Sequence, residues 1–122
     1  MNENLPGNFT SLEQTELVSS LLPDAILLLE KDFTSSGIDI ELSGKISGDV
    51  FDLRDLISQH ILKTGGPGAE QFYRLLYRID IPEAKIKSAL ASSSDCNFET
   101  VIAEMIIIRE LQKAFYRKNF GR

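Results

Sequence analysis

Apolar positions recur at helical spacing over most of this chain, and the period changes only once. Val50, Leu53, Leu56, Ile57 and Ile61 fall on one face, with Asp49, Asp52, Arg54 and Asp55 mostly elsewhere. That pattern predicts an amphipathic helix over 49–63. The same spacing in Phe72, Leu75, Leu76 and Ile79 predicts a helix over about 69–79. Asp80 and Glu83 fit a capping box around Pro82 that opens a helix over 81–91, and Asn97 is placed to cap a long last helix reaching about Asn119. Nearer the start, Ser11 followed by Gln14 makes a capping box for a helix over 12–22. Pro23 lacks an amide donor and kinks or ends that element, with a second helix following over 24–33.

Between these helices the period drops to two. Ile38, Ile40 and Leu42 alternate with Asp39 and Glu41, and Gly37, Gly44 and Gly48 punctuate the stretch. The expected fold is mainly α: a compact bundle of five or six helices with a short irregular or β-hairpin-like insert near residues 37–47. Residues 1–9 read as a loosely ordered N-terminal leader, and 10–120 as a single helical domain.

Two segments carry more apolar surface than a one-layer bundle needs. Ile26, Leu27, Leu28 and Leu29 circle their helix, and so do Met105, Ile106, Ile107 and Ile108, followed by Leu111 and Phe115. A helix apolar on all sides must be covered on all sides. Either these helices are central, or one buries its outer face against another chain. The second alternative predicts a homo-oligomer, with a two-fold dimer as the commonest form, and makes Ile107, Ile108, Leu111 and Phe115 the expected interface residues. Arg109 and Glu104 lie inside the apolar arcs of the same helix and need a partner or a path to water.

Composition narrows the classes. The chain has 122 residues, 43% apolar and 25% charged, which excludes a disordered or collagen-like polymer and fits one globular domain. No apolar run approaches the length of a membrane span. A single cysteine, Cys96, and a first segment unlike a secretory signal predict a reducing, cytoplasmic setting. The net charge of −5 disfavours nucleic acid as a partner. Charge is nevertheless uneven: residues 1–61 hold eleven acids and three bases, whereas 62–122 hold seven and ten. Arg74, Arg78, Lys113, Arg117 and Lys118 therefore form the residue set for an alternative anion-binding reading.

Catalytic equipment is sparse. His60 is the only histidine and falls on the apolar side of its helix with no acid three or four residues away. Cys96 has no histidine near it in sequence. Asp49, Asp52 and Asp55 match no Ca²⁺ loop spacing, and Gly65-Gly66-Pro67-Gly68 lacks the Lys-Ser/Thr of a phosphate-binding loop. No zinc spacing occurs, and no cofactor or metal is expected. The sequence thus predicts a non-enzymatic helical protein–protein interaction module that self-associates and can engage a larger protein partner. Anion binding is the runner-up, and a small enzyme comes third.

Overall fold

The computed structural model describes residues 15–40, 42, 49–63, 70–91 and 97–120. Among the described residues it is mainly helical, with five helices: α1 (Glu16–Ser35), α2 (Val50–Lys63), α3 (Glu70–Ile79), α4 (Glu83–Ala91) and α5 (Phe98–Asn119). The expected leader, the Ser11/Gln14 box, the glycine-rich turn at 65–68 and Cys96 lie outside the described residues.

Of the kink or end expected at Pro23, the end is corrected: α1 runs on through it as one helix. Pro23 is exposed, so its ring meets solvent, and only the backbone bond that its missing amide would have made to Ser19 is lost. That loss costs about 3 kcal/mol. Burial of Leu21, Leu22, Ala25 and Ile26 around it, at roughly 1.5–3 kcal/mol for each large side chain, outweighs the cost. Thr15 caps the start, its Oγ1 accepting from the Val18 amide at 3.1 Å.

Helix ends follow local chemistry. After α1, the Ile38 amide donates to the Phe33 carbonyl and Gly37 takes φ 87°, a left-handed stop that suits glycine. The end of α3 has the same form, with Ile81 donating to Leu76 and Asp80 at φ 74°. Asp80 therefore terminates α3 rather than capping α4, which corrects the expected capping box. The Pro82 carbonyl accepts the first α4 bonds. Asp49 caps α2 by accepting the Phe51 amide at 2.8 Å. Asn97 occupies the cap position of α5 without a side-chain cap bond.

The core centres on α5, which packs most extensively against α1 and α2 and also meets α3 and α4. Much of its apolar surface is thereby covered within one chain, with Met105, Ile108 and Phe115 left half-buried. Ile106, Ile107 and Leu111 are buried, as are Leu29 and Phe33 of α1, Leu53 and Ile57 of α2, and Phe72 and Leu75 of α3. The period-two residues Ile38, Ile40 and Leu42 all face this core while Asp39 is exposed. No strand occurs among the described residues. The Leu42 amide instead donates to Glu30 Oε2 of α1 at 2.8 Å. No helix among the described residues is long and apolar enough to cross a membrane.

Candidate functional site

Three helices meet at a cluster of charge. Asp32 follows Leu28 and Leu29 on the inner face of α1, and Glu110 lies among Ile106, Ile107 and Ala114 on α5, so helical periodicity drives both carboxyls inward. Glu110 is 0% exposed. Lys113 Nζ donates to Asp32 Oδ2 at 2.7 Å and lies 3.0 Å from Glu110 Oε1. Arg78 of α3 approaches the other Asp32 oxygen at 3.4 Å. With Glu110 ionised, neither of its oxygens accepts a well-directed hydrogen bond, the nearby lysine included, so the carboxyl can bond Asp32 only by keeping a proton.

Burial raises the Glu110 carboxyl to a pKa of about 8, and a hydrogen bond to Asp32 pushes in the same direction against the attraction of Lys113. Burial also pushes Asp32 upward, but hydrogen bonds from Glu110 and Lys113, with the charges of Lys113 and Arg78, hold it below the ordinary carboxylate range. At neutral pH the pair is thus one protonated carboxyl donating to one carboxylate, clamped by two cations. Such a pair has the form of an acid–base dyad. Asp32 and Glu110 are both buried, however, and line neither of two grooves formed by described residues. The pair's evident effect is to lock α1, α3 and α5 together.

The first groove, about 650 Å³, lies between α3 and α4. Leu76, Ile81, Pro82 and Ile86 give it a mostly apolar lining, and Tyr73 and Tyr77, one turn apart on α3, stand at it 58% and 88% exposed. Arg74, Asp80 and Glu83 supply charge of both signs. The second, about 470 Å³, lies between α1 and α5. Lys31, Arg117 and Lys118 outnumber Asp24 there, around Leu27, Leu28 and Ala114. No family model, no curated protein and no solved structure matches this chain.

The expected interface set is divided by the fold. Ile107 and Leu111 are enclosed by neighbouring helices of the same chain, so neither offers a contact surface to a second one. Ile108 and Phe115 are half-buried at the core edge. Phe115 continues outward into an aromatic group, with ring centroids 6.0 Å from Tyr116 and 6.5 Å from Phe120. The anion-binding set is divided as well. Arg74 pairs with Glu70 at 3.1 Å, while Arg78 and Lys113 are held by Asp32. Only Arg117 and Lys118 of the five line the α1–α5 groove.

The inner charges of α5 find partners as their positions require. Arg109 donates from Nε to the Ile79 carbonyl at 3.1 Å, satisfying the end of α3, and lies 3.6 Å from Asp80. Glu104 pairs with Arg54 of α2 at 3.3 Å. His60 is half-buried on α2. No group of metal-holding side chains occurs among the described residues. Sequence reasoning missed Asp32, Glu110 and Lys31. The first two were accessible to it, because each carboxyl sits three and four residues from apolar side chains on an inward face.

Proposed function

We propose that this chain is a non-enzymatic helical interaction module of a reducing, cytoplasmic setting that self-associates as a two-fold dimer through its α3–α4 face. The observation that supports this most is one mostly apolar groove at which Tyr73 and Tyr77 stand exposed, beside half-buried Ile86 and over the buried Leu76 and Ile81. Tyrosine combines a large apolar body with a polar tip and is enriched at interface cores. Because the lining carries Arg74 beside Asp80 and Glu83, a two-fold axis can set the cation of one copy against the acids of the other.

The surface so assigned replaces Ile107 and Leu111 as the centre of contact and leaves Ile108 and Phe115 outside it. Scarce catalytic candidates in the sequence support the non-enzymatic part of the reading. Light scattering behind size exclusion, run across micromolar concentrations, tests it. The expected mass is twice the 13.6 kDa of one chain, falling to a single chain for Tyr77→Glu with helicity unchanged. A dimer that survives Tyr77→Glu and Ile86→Glu would place the contact elsewhere, and a wild-type monomer at all concentrations would end the self-association reading.

A further inference from the structure

We infer that the α1–α5 groove binds an acidic segment of another protein, one that carries an apolar side chain beside its carboxylates. The two helices run antiparallel here: Asp32 meets Lys113, and Asp24, two turns earlier on α1, shares the groove with Arg117 and Lys118, one turn later on α5. Lys31 therefore stands toward one end of the groove and Arg117 with Lys118 toward the other. None of these three cations makes a salt bridge to another described residue, whereas Lys113, just behind them, is engaged twice. In this register Leu27, 62% exposed, lies alongside Arg117 and Lys118, while Ala114, which leaves little side chain to fill the space, lies beside Lys31. The groove offers three cations with an exposed apolar side chain among them.

Charge and area choose the occupant. Three cations are too few to hold a nucleic acid against the chain's net charge of −5, since affinity there scales with the number of phosphates neutralised. An anionic lipid surface is bound by larger basic clusters. A second copy placed two-fold on this groove would set three cations and one acid against the same excess, a repulsive arrangement. A small polyanion would use the cations and leave Leu27 in water. An acidic segment with a central leucine or phenylalanine satisfies both features.

The test is fluorescence anisotropy with a labelled Glu-Glu-Leu-Phe-Glu-Glu peptide, its Glu-Glu-Gly-Gly-Glu-Glu counterpart, a single-stranded oligonucleotide and phosphatidylserine vesicles. The apolar-centred peptide is expected to bind at low salt and to weaken as salt rises. Its affinity is expected to fall about tenfold or more in the Lys31→Glu/Arg117→Glu variant. Leu27→Ser is expected to lower it about threefold to tenfold. Lys85→Glu on exposed α4 and Tyr77→Glu are expected to leave it unchanged, which separates this site from self-association. Absence of binding, equal affinity for the glycine-centred peptide, or indifference to the double charge reversal would overturn the inference. So would tighter binding of the oligonucleotide or the vesicles through the same residues.

Discussion

α5 and α4 follow one another in the chain and end in opposite situations. The longer helix is enclosed by four others and buries eight residues, one of them a carboxyl. On α4, residues 83–88 are exposed apart from half-buried Ile86, and its packing is chiefly against α5. Apolar character at Ile106, Ile107 and Leu111 of α5 therefore reports depth within the chain. One patch of exposed aromatic surface lies where α4 leaves one side of α3 open, and another where Tyr116 and Phe120 end α5. Two tyrosines that look like ordinary flanking residues in the sequence stand in the first.

The largest expected effect sharpens this contrast directly. Ile107→Ala should destabilise the chain by about 2–5 kcal/mol, and Ile107→Glu should abolish cooperative folding, because the carboxylate would have no solvent or partner. Ile86→Ala should cost less than about 1.5 kcal/mol, since that side chain is half-exposed already. Urea denaturation of the variants compares the two helices on one scale. Equal losses at both positions would contradict the central placement of α5.

The buried carboxyl predicts a pH dependence next in size. Folded, Glu110 keeps its proton up to a pH of about 8, against an ordinary value of 4.5. Between those values the folded chain binds the extra proton, so stability falls as pH rises, by at most about 1.4 kcal/mol per unit. Asp32 acts in the opposite sense: its folded value is depressed, so its contribution is present above the ordinary aspartate range and lost as pH falls through the folded value. The pair should be most stabilising at mildly acidic pH. Melting temperatures across the acid-to-neutral range should therefore decline toward pH 8, and Glu110→Gln should flatten that decline. A wild-type profile with no decline would mean that Glu110 is ionised in the fold.

Smaller again, Pro23→Ala should stabilise α1 by about 1–3 kcal/mol by restoring one backbone bond at an exposed position, read from the urea midpoint. Smallest is the effect of Tyr77→Glu on the monomer, within about 0.5 kcal/mol because the ring is already in water. Its consequence should lie in association alone.

Much of this architecture was legible in the sequence because periodicity reports which face a residue takes. The ranges of α2, α3 and α5 follow from apolar spacing, and Ile38, Ile40 and Leu42 all turn inward as their alternation implies. Where reasoning stopped short, the deciding factor was tertiary. Pro23 looks like a break because propensity is local, while the burial that overrides it comes from α5 across the core. Ile107 and Leu111 look like interface residues because a wheel cannot count the helices around it. The α3–α4 groove depends on where α4 is set against α3. The α1–α5 groove needs Lys31 and Arg117, 86 positions apart, on one surface. No spacing along the chain announces either.

Hydrogen–deuterium exchange at low and high protein concentration tests the central claim most directly, since it reads both helices in one experiment. Amides of α5 should be protected equally at both concentrations, as befits a helix enclosed by its own chain. Those of α3 and α4 should gain protection only at the higher concentration, when the tyrosine face is covered. Protection of α5 that grows with concentration while α3 and α4 stay constant would contradict the account.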